Sequence, residues 1–372
     1  MSLSGNRLGT TALWTGSAVL TVLFTLTTIC WWMHAESEHS RAASAPGEVV
    51  RDPGQVNRVL GAQDSGGPVD YRIPTGVLVR TAEFLNSNDV KIRGRVWQRF
   101  GPDLPADMGR GIRFPEASGS VDLGEMTLNR IGDDDIATWS FNVTVRQPFD
   151  YRNFPLDLQD IWLRMSSSDL KYSVVLVPDF EEYPPWQGGE LYGLDPGIVL
   201  PGWRLTSTEF SIKHTNYALK SHRVSTDAAE LYFNTGIARE LEGPLIGRMI
   251  PVVLLALLMF LSLFVITTDP DRRNLSGFTA FAIIGFAVST VLVVAVNDNA
   301  TRAEIGSSQI AYIEFWYFAL YVMTLLVALN ATLLLTNGLR GIVHWRGNLL
   351  PKLLFWPLFT GVLCLSTVLT LR

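Results

Sequence analysis

Apolar and polar positions divide the chain into three kinds of segment. Five stretches stay apolar over about 20 positions, the length a helix needs to cross a bilayer. They are residues 12–33, 249–268, 275–296, 310–336 and 353–371. Between the first and second of these the pattern switches to period two. Val90, Ile92 and Val96 alternate with Lys91, Arg93 and Arg95, and Trp139, Phe141, Val143 and Val145 alternate with Ser140, Asn142 and Thr144. Ile161, Leu163 and Met165 repeat the pattern. Such alternation predicts half-buried strands. Turn signals recur between the runs, at residues 86–89 and at Gly188-Gly189. Many short strands at this spacing predict an all-β sandwich over residues 71–243. Residues 35–70 are rich in Gly, Ser, Ala and charge and read as a linker. The expected fold class is a membrane protein: an anchor helix, an all-β sandwich outside the membrane, and a four-helix transmembrane bundle over residues 244–372.

Basic residues set the expected orientation. Residues 337–352 hold Arg340, Arg346 and Lys352 with no acidic residue, so this link is expected in the cytoplasm. The link at 269–273 then also faces the cytoplasm, while residues 297–309 and the β-domain lie outside. Residues 1–34 read as an uncleaved anchor or a signal peptide. The run is long for a signal, and Trp31, Trp32 and His34 flank the small Ala35. The expected location is a cell membrane, with the lipid bilayer as a partner.

Composition narrows the function classes. The chain has 372 residues and a formal net charge of -5, which speaks against a nucleic-acid partner. Its two cysteines, Cys30 and Cys364, both lie in apolar stretches, so the β-domain is expected to have no disulfide and no thiol nucleophile. No nucleophile elbow, phosphate loop or histidine-rich metal spacing occurs. Neither an enzyme, a cofactor nor a metal is expected. The run Asp133, Asp134 and Asp135 reads as a solvated turn.

Three sets of residues carry a resemblance. The segment Phe149-Asp150-Tyr151-Arg152-Asn153-Phe154-Pro155-Leu156-Asp157-Leu158-Gln159 contains an aromatic-Pro-aliphatic-Asp-x-Gln core. Arg239 stands a fixed distance ahead of Pro251, which falls inside the second apolar stretch. Ile73-Pro74-Thr75-Gly76 leads through a short turn to Val96-Trp97-Gln98. In this order and spacing they resemble the pentameric ligand-gated ion channels, the Cys-loop receptor superfamily in its prokaryotic form. Gln147 and Ile161 occupy the places of the two loop cysteines of animal members. The sequence departs from the family in three places. Residues 297–308 have no proline, Ser166, Ser167 and Ser168 stand where an aromatic is usual, and the first helix lies outside the family plan.

The resemblance implies a homopentameric ligand- or proton-gated channel, in the inner membrane of a bacterium, passing an ion along a path lined by the second of the four helices. The alternative is a non-conducting sensor of the same fold that signals through a partner. The stripe Ser276, Ala280, Ile283, Ala287, Thr290 and Val294 is expected to line the pore, with Ile283 as a constriction. Small residues on one face also suit tight helix packing. Asp271, Arg272 and Arg273 are selectivity candidates, or an ordinary positive-inside anchor. Asp89, Asp150, Phe154, Pro155, Asp157 and Arg239 are expected to couple the outer domain to the pore, with Arg239 forming a carboxylate pair. Trp97, His214, Tyr217 and His222 are candidates for binding a small ligand or sensing protons. His214, Tyr217 and His222 also suit a solvated hairpin.

Overall fold

The computed structural model describes residues 3–38, 45–61, 71–169, 171–184, 191–216, 227–265, 273–306, 309–336 and 345–371. Within them, side chains are described except at 3–8, 36–38, 216, 227–228, 273–279 and 335. The chain forms two compact units. A β-rich unit comprises His39–Asp150 and Leu158–Arg239, and a helical unit comprises Met1–Glu38, Tyr151–Asp157 and Glu240–Arg372.

The strands of the β-rich unit are β1 (Glu48–Val50), β2 (Tyr71–Phe84), β3 (Asp89–Phe100), β4 (Ile112–Arg113), β5 (Asp122–Leu123), β6 (Thr127–Ile131), β7 (Asp134–Arg146), β8 (Leu158–Ser167), β9 (Val174–Pro178), β10 (Trp203–Asn216) and β11 (Asp227–Arg239). One sheet has the order β1-β10-β11-β8-β4 and the other β5-β7-β3-β2-β9, with β6 also on β7. The period-two positions behave as their alternation predicts. Val90, Ile92, Val96, Phe141, Val143, Val145, Leu163 and Met165 are all buried, while Arg93, Arg95 and Ser140 are exposed. Side chains from both sheets, Val96 and Phe141 from one and Leu163 and Phe233 from the other, join a single core. A gap of 20 Å³ lined by Val79, Ile92, Leu163 and Phe233 has room for roughly one water and none for a ligand.

Residues 35–70 are more than a linker. β1 pairs with β10, and α2 (Pro53–Gly61) follows it, sending Val50 and Val56 into the core. The start of α2 has a local cause: Asp52 Oδ1 accepts the Gln55 N–H at 2.9 Å, and Pro53 suits the first helical position. A strand of three residues is too short to display a period, which is why composition outweighed it.

In the helical unit, α1 (Leu3–Glu38) is followed by α3 (Glu242–Pro244), a π turn (Leu245–Met249), α4 (Ile250–Val265), α5 (Arg273–Ile305), α6 (Tyr312–Thr336) and α7 (Leu349–Thr370). Among the described residues five spans are long and apolar enough to cross a bilayer, which marks a membrane protein. The π turn lies just ahead of Pro251. A helical proline lacks an N–H and its ring collides with the carbonyl four residues back, so a wider turn relieves the clash. The second apolar span thus begins at Glu242, ahead of the predicted 249. α5 continues past its predicted end at 296 to Ile305, because Asn297–Ile305 stays helical with Arg302 facing Asp298 one turn back at 3.8 Å. α4 touches α5, α6 and α7, and α6 touches α5 and α7. α1 lies along α7. Ser17 Oγ donates to the Leu353 carbonyl at 2.5 Å, and Phe24 sits against Gly361, so the two helices run parallel.

Candidate functional site

The segment Tyr151–Asp157 belongs to the helical unit although residues of the β-rich unit flank it on both sides. Its turn closes through Phe154 N–H to the Tyr151 carbonyl at 3.0 Å and Leu156 N–H to Asn153 at 2.7 Å, around a cis Phe154-Pro155 bond. Tyr151, Phe154, Pro155 and Asp157 are buried. The first N–H groups of a helix have no intrahelical acceptor. Here the loop supplies two: Tyr312 N–H donates to the Arg152 carbonyl at 2.8 Å, and Ile313 N–H to the Phe154 carbonyl at 3.2 Å. The loop backbone therefore caps α6.

Within the β-rich unit, glutamine amides tie the two strand ends from which the loop departs. Gln159 Nε2 donates to the Asp150 carbonyl at 2.6 Å, and its Oε1 accepts the Asp150 N–H at 3.1 Å. Gln147 Nε2 donates to the Trp162 carbonyl, and its Oε1 accepts the Trp162 N–H at 3.3 Å. A side-chain amide thus bridges from Gln147 to β8. Gln98 clamps Gly111 in the same two-bond manner. Nothing in the spacing of Gln147 and Trp162 announced this amide bridge.

Asp89 closes a turn with Asn86 and receives both Arg146 Nε at 2.8 Å and Arg146 Nη2 at 3.0 Å. The hydrogen bonds from Arg146, then that from Asn86, hold the Asp89 carboxyl well below its usual range, at about 2. The partner of Asp89 is thus Arg146. The guanidinium of Arg239 lies over the Trp203 ring, 4.1 Å from its centre.

The expected pore stripe is turned inward. Ala280, Ile283, Ala287, Thr290 and Val294 are each at most 5% exposed within the single chain. The Thr290 hydroxyl lies 3.7 Å from the Met259 sulfur of α4. Within the single chain this stripe is a packing face. The open face of α5 carries Ala282, Gly285, Ser289, Leu292, Val296 and Asn299, at helical spacing, with Phe281 and Val288 beside it. Ser276 and Arg273 lie on α5 without a described side chain, and Asp271 and Arg272 fall outside the described residues.

One cluster escaped the sequence reading. Glu314, fully buried in the first turn of α6, meets Arg302 Nη2 at 2.6 Å, and its Oε1 has no hydrogen-bond partner. Arg248, in the π turn, reaches Glu304 at 3.0 Å. The Thr301 hydroxyl meets the Tyr317 hydroxyl at 3.1 Å. These contacts tie the start of α4, the end of α5 and the start of α6. An ionisable residue inside an apolar span was the available signal.

Of the ligand candidates, Trp97 lies on β3 and His214 on β10, in different sheets. Trp97 Nε1 donates to Asp179 at 3.0 Å, and its ring packs on Tyr183. Gly76 lies under that ring, where a Cβ would sit 2.0 Å from it. His214 has its Nε2 buried without a partner. Tyr217 and His222 fall outside the described residues. No metal-binding cluster occurs among the described residues. No protein-family model matches the chain, and no curated protein matches it.

Proposed function

We propose that the chain is one subunit of a homopentameric ligand-gated ion channel in a bacterial inner membrane. In this reading the two sheets are the halves of an outer β-sandwich. α3 to α4, α5, α6 and α7 are the four channel helices, and α5 lies nearest the axis. The observation that carries the reading is the capped junction. A loop drawn from the strands hands the carbonyls of Arg152 and Phe154 to the first turn of α6. A change in the strands that moves this loop pulls directly on a helix end, where two packings can be exchanged. Ion pairs at Arg302–Glu314 and Arg248–Glu304 carry the same displacement to α5 and the π turn.

The open face of α5 is the surface available to a pathway between copies. Ala282, Gly285 and Ser289 make one end narrow and weakly polar, and Leu292 and Val296 supply a constriction that gates by dewetting. The test is cysteine substitution in a chain lacking Cys30 and Cys364, with a charged thiol reagent applied during bilayer recording. Ser289→Cys and Leu292→Cys are expected to be blocked, and Ala287→Cys and Thr290→Cys to be indifferent. Block in the opposite pattern overturns the pore face. A purified chain that stays monomeric and passes no current overturns the channel and leaves the non-conducting sensor.

A further inference from the structure

The helix outside the family plan meets the junction through one relay of hydrogen bonds. Trp32 Nε1 lies 3.0 Å from the Tyr312 hydroxyl, which lies 2.7 Å from Thr367 Oγ1. Thr367 Oγ1 is 2.7 Å from the Leu363 carbonyl. An indole only donates, and the threonine proton is committed to the carbonyl. The direction therefore runs from Trp32 to Tyr312, to Thr367, to Leu363. The Trp32 ring also packs on Trp316 at 6.0 Å and meets Tyr312 edge-on at 6.4 Å. Tyr312 and Thr367 are fully buried. The same Tyr312 is the first residue of α6, and its backbone N–H is the one held by Arg152.

We propose that α1 is a built-in modulator of the loop–α6 junction, with Trp32 as the positioning residue that fixes Tyr312 and, through it, the cap supplied by Arg152 and Phe154. The effect on gating rests on the channel reading; the effect on the cap does not. Trp32→Phe is a mild change, because the Tyr312 hydroxyl keeps its donation to Thr367. Tyr312→Phe removes the relay from its middle.

The experiment uses the full chain in lipid nanodiscs, with intact mass checking that α1 is retained. Hydrogen exchange is then read at the Tyr312–Ile313 amides in wild type, both single variants and the double variant. Each single variant is expected to speed exchange by about threefold to tenfold. The double variant should add little to the larger single effect, since both break one relay. Unchanged exchange in both singles, full additivity, or a mature chain lacking α1 overturns the proposal. In parallel, currents evoked by acid steps from about pH 7.5 to about pH 4 should shift their midpoint in Trp32→Phe while the maximal current is kept. Altered exchange with no wild-type current sinks the reading of a proton-gated channel and leaves the positioning role standing. Wild-type current with unaltered exchange and midpoint does the reverse.

Discussion

At the residue scale, the β-rich unit solves locally what a covalent bridge solves elsewhere. A glutamine amide offers one donor and one acceptor in a plane, the same pair a strand residue offers its neighbour. Gln98, Gln147 and Gln159 each use both on one backbone residue, adding short lengths of ladder where strands diverge. Gln147→Ala or Gln159→Ala leaves a partly buried N–H and carbonyl unpaired, and each is expected to cost about 1–3 kcal/mol, read from thermal melting. Asp89 gives a pH signature. Its folded pKa, about 2, lies below the ordinary 3.8. The paired carboxylate therefore stabilises the fold above about pH 4, and that contribution is lost as pH falls toward 2. Glu116 works in the opposite sense, because burial raises its carboxyl against the pull of Arg164. Its charge costs stability at neutral pH, and the cost is relieved on acidification. Melting temperature against pH should show a shallower acid limb in Asp89→Asn and a steeper one in Glu116→Gln. The strand positions were readable because each inward residue repeats at two. The amide clamps were not, because a side chain bonding a backbone group has no sequence period.

At the element scale, α5 shows how one spacing suits two different roles. Period 3.6 located the stripe Ala280, Ile283, Ala287, Thr290 and Val294, and these five do share a face. Small residues favour close approach of helices as readily as a narrow pore, and the approach of α4 has taken this face. Ala287→Leu is therefore expected to overpack the subunit and cost about 1–3 kcal/mol, while Ser289→Leu on the open face spares the subunit fold. Detergent melting curves check both. Glu314 belongs to this scale too. Glu314→Ala removes the buried carboxylate that Arg302 meets at 2.6 Å, whereas Glu314→Gln keeps a hydrogen-bonding side chain there. The alanine variant should lose stability by about 2 kcal/mol more than the glutamine. The polar turns of α5 past residue 296 read as a loop in the sequence because their charges hid good helix formers such as Ala300 and Ala303.

At the scale of the whole molecule, the broad division of the chain was legible from hydropathy and alternation alone, while the partners of α1 were not. An apolar helix advertises its length, not the surface it will choose. Native mass spectrometry of the full chain is expected to give five copies, and a chain lacking residues 1–38 should still give five if α1 tunes the assembly and does not build it. The docking of α1 on α7 also has a consequence for biosynthesis. The hydrogen bond from Ser17 to Leu353 spans 336 positions. α1 leaves the ribosome long before α7, the helix it lies against. Until α7 emerges, α1 waits in the lipid with the surface that will face α7 uncovered. Closure of the helical unit thus waits for α7, and a nascent chain stalled before residue 349 would carry α1 loose and open to quality-control proteases.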